Sequence, residues 1–258
     1  MFLPRIIPVL LLKGKGLVKT VKFKNPRYIG DPINAVRIFN DLKADELVFL
    51  DITASKENRT INLDLVKNIG DEAFMPFGVG GGIKTISQIE EILKAGAEKV
   101  ILNTNAFLKP ELIKESSEYF GNQSIVVSVD VKKNMFGKYQ VFIKGGSKRV
   151  NVNMQEYIKK IESLGAGEII INSIDNDGKM NGFDIELIKI VSQSVNIPVV
   201  AIGGAGSLQD FKNAYLGGKA HAIAAGSFFV FHGPRKAVLI NYPSKNELKE
   251  LFNDGFAR

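Results

Sequence analysis

The chain has 258 residues, 45% of them hydrophobic, enough for one large globular domain with a well-buried core. It contains no cysteine, which excludes disulfides and thiolate metal sites, and its two histidines, His221 and His232, are too far apart to suggest a metal cluster. The net charge of +7 invites a nucleic-acid reading, but the cations gather in two Gly-containing loops, 13–27 and 132–149, and no helix carries a basic stripe interleaved with aromatics.

Taken in order, the chain opens on the apolar run Ile6 to Leu12. This is too short to span a bilayer, and Arg5 with no small-residue cleavage site argues against a signal peptide. A cytoplasmic location is expected, with neither nucleic acid nor membrane as partner. Short apolar runs then recur, predicting strands at 5–12, 46–51, 75–79, 99–103, 124–130, 168–173, 198–202 and 221–225. Between them the pattern predicts helices starting at Pro32 (capped by Asp31), Ile61, Thr85, Pro110, Asn153, Asp184 and Ser207, with a last one near Lys245. Two strands, within 76–83 (PFGVGGGI) and 197–206 (IPVVAIGGAG), are entered through a proline and left through glycines. Thr85 with Gln88, and Ser207 with Asp210, then supply helix starts. Such turns often only close a loop, yet two of them let bare N–H groups approach an anion. Residues 132–150, with Tyr139, Val141 and Ile143 alternating before Gly145-Gly146, read as a hairpin over one face of the fold.

Eight alternating strand and helix units of this length predict an α/β fold, a closed (β/α)8 TIM barrel in one domain, 1–258. An open doubly wound sheet is disfavoured, because the glycine turns follow the third and seventh strands. Val79-Gly80-Gly81 corresponds to Ile202-Gly203-Gly204, 123 residues on. Asn103-Thr104 falls on Gly226-Ser227 at the same offset, so two half-barrel repeats are expected.

Barrel chemistry sits at the C-terminal strand ends. There Gly82, Asn103 and Thr104 could form one phosphate cradle, and Gly178, Gly204, Gly226 and Ser227 a second, implying an elongated ligand with a phosphate at each end. Between them Asp130 is either a general acid or base, or a capping aspartate. Asp51 stands at the end of the second strand and counts among the substrate-facing candidates. At the opposite end Arg5, Glu46, Lys99 and Glu168 occupy four strand starts. Two charges of each sign could form a neutral ring, acting either as a plug or as a polar gate for something small. No spacing suggests a metal or a cofactor.

The motifs Arg5-Ile6-Ile7-Pro8, Gly30-Asp31-Pro32, residues 45–52 (DELVFLDI), Val79-Gly80-Gly81-Gly82-Ile83, Gly165-Ala166-Gly167-Glu168-Ile169 and Gly203-Gly204-Ala205-Gly206 resemble HisF. That family is the cyclase subunit of imidazole glycerol phosphate synthase, and the resemblance covers nearly the whole chain. It implies a barrel docked on a HisH-like glutaminase, whose ammonia travels up the barrel. At the top the ammonia reacts with a bis-phosphorylated formimino ribulosyl nucleotide, giving imidazole glycerol phosphate and an aminoimidazole carboxamide ribotide. By motif, the resemblance implies that Arg5, Glu46, Lys99 and Glu168 form the ammonia gate. It also implies that Gly82, Asn103 and Thr104 hold one phosphate, and Asp177, Gly178, Gly204, Gly226 and Ser227 the other. Lys19 corresponds to a lysine of a mobile first loop, and Asp130 to one of two catalytic aspartates.

The second aspartate is missing. Where the family reads Cys-Leu-Asp-Val-Lys, this chain reads Val9-Leu10-Leu11-Leu12-Lys13, and leucine cannot move a proton. Residues 10–24 and 228–243 look more like a HisF branch associated with surface-polysaccharide glycosyl amidation. In that branch the barrel supplies ammonia to a sugar-modifying amidotransferase that turns an acetamido into an acetamidino group. Three readings follow: an ammonia relay, a working cyclase that substitutes Asp51 or Asp175 for the lost acid, and a scaffold that binds a phosphorylated ligand.

Overall fold

Period-2 alternation along the apolar strands sorts their side chains to two faces. Arg5, Ile7, Val9 and Leu11 fall on one face of the first strand; Ile6, Leu10 and Leu12 fall on the other. In the computed structural model, which describes residues 3–253, these become the inside and the outside of a barrel. Residues 1–2 and 254–258 of the expected domain lie outside the described residues.

The eight barrel strands are Arg5–Lys13, Leu47–Asp51, Phe77–Gly80, Lys99–Leu102, Ile125–Lys133, Glu168–Ser173, Val199–Ile202 and Ala222–Ala225. Each pairs in parallel with the next, and Ala222–Ala225 pairs back onto the first strand, Arg5 opposite Ala222, closing a (β/α)8 TIM barrel. Inside lie Ile7, Val9, Val48, Ile101, Val126, Ile170, Val200, Ala222 and Ala224. Outside, Leu10, Leu12, Phe49, Val79 and Ile169 pack against the helices through Val36, Phe39, Ile69 and Phe211. Each fully buried aliphatic side chain stabilises the fold by about 1.5–3 kcal/mol.

Helix starts fall within two residues of expectation, and side chains fix most of them. Thr85 caps Ile86–Lys94, and Ser207 caps Leu208–Leu216 in a box completed by Asp210. The 132–150 excursion is a hairpin, with Tyr139–Ile143 antiparallel to the extended fifth strand.

The first basic segment departs from expectation. Read as a loop, it forms two strands, Gly16–Val21 and Lys24–Gly30, the former antiparallel to the first barrel strand with Leu11 opposite Val18. The apolar residues Leu17 and Val18 are buried, and the turn at Gly14 uses a positive φ that glycine adopts without strain. A short helix, Thr104–Leu108, and a second small hairpin, Phe231–His232 with Ala237–Val238, were also not anticipated.

Candidate active site

At the C-terminal end of the barrel the strand ends surround one cavity of about 180 Å³. Leu11, Lys19, Asp51, Gly82, Asn103, Thr104, Asp130, Asp177, Gly178, Gly204, Gly226 and Ser227 all line it, so twelve residues from across the sequence converge there. The two glycine turns sit on opposite walls. Gly82 (φ 67°) and Gly204 (φ 116°) hold left-handed backbone, and a Cβ at either would overlap a carbonyl, that of Arg59 or of Gly182. Asn103 and Gly226 occupy matching places, each preceding a short helix, Thr104–Leu108 or Ser227–Val230, that starts at the cavity.

Asp130 is buried in the fifth strand. Its Oδ2 accepts from Asn103 Nδ2 at 3.0 Å, and the same amide donates to the Ser128 carbonyl at 2.9 Å. Burial pushes the Asp130 carboxyl up to about 7, with the charge of Asp177 adding to the shift and the amides of Asn103 and Asn172 opposing it. Such a carboxyl can hold or release a proton near neutral pH.

Three other carboxylates are engaged elsewhere. Asp51 Oδ1 accepts from the backbone N–H of Thr53 and of Ala54, both at 3.0 Å, and Arg59 Nη1 donates to Oδ2 at 2.6 Å. Asp51 thereby fixes the loop under Gly81 and Gly82. Asp177 Oδ2 accepts from Thr20 Oγ1 (3.0 Å) and the Phe23 N–H (3.1 Å), while its carbonyl accepts from the Lys22 N–H at 3.0 Å. Its side chain therefore latches the first hairpin across the cavity mouth. Asp175 accepts from the Lys133 N–H at 2.9 Å and is not among the cavity-lining residues. Thr104 Oγ1 accepts from the Lys144 N–H at 3.0 Å, tying the second hairpin to the first cradle. Lys19 lies in a strand, is only 5% exposed, and donates to the Val9 carbonyl.

Sequence reading missed Asn172, at the end of the sixth strand in the cavity wall. It is 8% exposed, and its Oδ1 has no hydrogen-bond partner among the described residues. The signal was present, since Asn172 breaks the apolar run Ile169-Ile170-Ile171 just where barrel chemistry sits. Ser128, one pleat below Asp130, also lines the cavity and was likewise missed.

At the barrel floor Arg5, Glu46, Lys99 and Glu168 meet in one ring. Arg5 pairs with both glutamates; Lys99 Nζ lies 2.9 Å from Glu46 and 3.1 Å from Glu168. Burial acts to lower the Arg5 pKa, but the charges of Glu168 and Glu46 outweigh it and hold the guanidinium above its usual value. Directly inside the ring is a small space of about 10 Å³, lined by Glu46, Lys99 and Glu168 and by Ile7, Val48, Ile101 and Val126 among others. That is about the room one water-sized molecule needs. Val9 and Ile101 border both this space and the upper cavity, so the two are stacked along the bore.

Comparison with known proteins fits this geometry. The family model described as "Histidine biosynthesis protein" matches residues 5–233. A Leptospira borgpetersenii protein that carries the name imidazole glycerol phosphate synthase subunit HisF provisionally is 48% identical over 98% of this chain and its own full length. Imidazole glycerol phosphate synthase subunit HisF of Thermococcus onnurineus is 48% identical over 88% of this chain and 90% of its own length. That of Alkaliphilus metalliredigens is 44% identical over 90% and 92%.

Proposed function

This chain belongs to the HisF family of imidazole glycerol phosphate synthase subunits, and on that premise we propose that it is a cytoplasmic synthase subunit that takes ammonia from a HisH-type glutaminase. Ammonia enters through the floor ring and passes up the bore into the cavity between the two cradles. The observation that carries this reading is the stacking of a water-sized space, walled by the charge ring, beneath the cavity that contains Asp130. A purely structural plug has no use for that space, and replacing the buried charge ring by well-packed aliphatic side chains of similar volume would be neutral or stabilising.

The acceptor is set by position 11. Leu11 gives the cavity an aliphatic wall where the cyclase pattern carries an acid. We therefore assign the ammonia to the sugar-modifying branch, in which a partner amidotransferase converts an acetamido into an acetamidino group. The two phosphate cradles favour a second reading, in which the chain closes the imidazole ring itself.

Turnover of the formimino ribulosyl nucleotide with ammonium salt separates the two. Expected is a rate at most ~10⁻² of that of a HisF cyclase with aspartate at this position, since one general acid–base group contributes ~10²–10⁴. Leu11→Asp is expected to raise the rate about tenfold or more. Near-normal turnover by the unmodified chain would assign it to ring closure.

A further inference from the structure

The bore changes character where it opens into the upper cavity. Just above the floor ring the inward strand residues are aliphatic, and two residues further along each strand the same face lines the cavity. On the first, second and seventh strands that next residue is Leu11, Leu50 or Ile202; on the fourth, fifth and sixth it is Asn103, Ser128 or Asn172. A molecule leaving the bore therefore meets an aliphatic wall on one side and a polar wall on the other.

The polar wall holds one unmatched acceptor. Asn103 is fully engaged: its Nδ2 donates to the Ser128 carbonyl and to Asp130 Oδ2, and its Oδ1 accepts from Thr104 Oγ1 at 3.4 Å. The Asn172 amide, opposite Asp130 across the paired strands, acts on that carboxyl as a hydrogen-bond donor, so its nitrogen is committed there. Its Oδ1 is buried and has no hydrogen-bond partner among the described residues. An unpaired buried acceptor is costly to keep, and this one calls for a donor from outside the chain. Gly203 leaves the oxygen approachable, since a Cβ at that glycine would stand 3.0 Å from Oδ1.

A donor that arrives through the bore must pass the space of about 10 Å³ inside the ring, which suits a molecule the size of water. Ammonia is of that size. It carries three N–H groups and one lone pair, so giving one N–H to Oδ1 leaves the lone pair free. We propose that Asn172 Oδ1 is the landing site of ammonia at the head of the bore. This rests on the reading that ammonia rises through the barrel, and it holds whether the acceptor lies in the cavity or on a partner enzyme. The facing wall of Leu11, Leu50 and Ile202 offers ammonia no hydrogen bond. Asn172 therefore sets where the nitrogen stops, with its lone pair directed away from the sixth strand and into the cavity.

Two measurements test the assignment. With 13C-labelled asparagine, the Asn172 side-chain carbonyl resonance, identified by its loss in Asn172→Thr, is expected to move saturably with ammonium chloride at pH 9, where much of the ammonium is free ammonia. Sodium chloride at equal concentration should leave it in place. No shift, or the same shift with sodium, would overturn the proposal. In ammonium-driven turnover of the formimino ribulosyl nucleotide, Asn172→Leu is expected to raise KM for ammonium at least tenfold, with kcat and the nucleotide KM changed less than threefold. Asn172→Thr, which keeps an acceptor oxygen, should recover most of that affinity. A rise confined to the nucleotide KM would make Asn172 a contact to that ligand and overturn the proposal. If the unmodified chain turns over none of this nucleotide, the ring-closing acceptor is wrong, and the carbonyl titration decides the role of Asn172 alone. Failure of the bore reading shows differently, as equal loss of glutamine-driven and ammonium-driven activity on narrowing the bore.

Discussion

Replacing Asp130 by asparagine is expected to lower ammonium-driven turnover by ~10²–10⁴-fold and, at the same time, to stabilise the protein at alkaline pH. Both effects arise from its burial. The fold raises the Asp130 pKa from 3.8 to about 7, so the folded state prefers the protonated form. Below pH 3.8 the folded and unfolded chains both carry the proton, and the group's contribution to stability is fully present. As the pH rises towards 7 the unfolded chain gives up the proton while the fold retains it. Above 7 the fold must ionise a buried acid, and the stability lost reaches a plateau of about 4 kcal/mol, an order-of-magnitude figure. Asparagine keeps an acceptor for Asn103 Nδ2 and never ionises. Thermal unfolding should therefore show the variant more stable than its parent at pH 8, with the gap narrowing towards pH 4. A difference that does not change with pH would mean that Asp130 is not held protonated by burial.

The floor ring yields the second large effect. Removing one partner of a buried ion pair typically costs 3–5 kcal/mol, because the remaining charge is stranded. Glu168→Ala leaves Arg5 and Lys99 sharing Glu46 alone, changing the ring from neutral to singly positive. The Arg5 side chain is 37% exposed, which softens the penalty through solvent screening. The expected destabilisation is therefore the low end, about 3 kcal/mol. For a chain of this size that corresponds to a fall in Tm of roughly 6–12 °C. Glu168→Gln, which retains the shape and part of the hydrogen bonding, should lose less. In the complex with a HisH-type glutaminase, Glu168→Ala or Lys99→Ala is expected to let glutamine hydrolysis continue while product formation falls behind. Unchanged coupling in both variants would return the ring to a structural plug.

The barrel was legible because three local signals agree along the chain: apolar runs of strand length, helix caps such as Thr85 and Ser207, and glycines after the third and seventh strands. The cavity was legible for a related reason. In this fold a residue's place at the end of its strand decides whether it faces the site. Leu11, Asn103, Asp130 and Gly226 therefore converge however far apart they lie in sequence. What stayed hidden depends on partners chosen in three dimensions. Asp51 looks like a free acid until Arg59, eight residues on, folds back on it. Asp177 lines the cavity beside Gly178, but that its carboxylate also holds the Thr20 hydroxyl and the Phe23 N–H could not be read from the chain. The basic stretch around Lys19 concealed a hairpin, since its many lysines mask the buried Leu17 and Val18, and charge alone does not announce that one lysine is buried.

If ammonia travels through the barrel, closing the bore between the ring and the upper cavity must separate two ways of supplying it. Ala224, a small residue lining the space just inside the ring, is the place to do so. In Ala224→Leu, glutamine-driven product formation in the glutaminase complex is expected to fall at least tenfold. Glutamine hydrolysis, and product formation from added ammonium salt, should stay within about twofold of the parent. Equal loss of glutamine-driven and ammonium-driven activity, or no loss of either, would contradict passage of ammonia through this barrel.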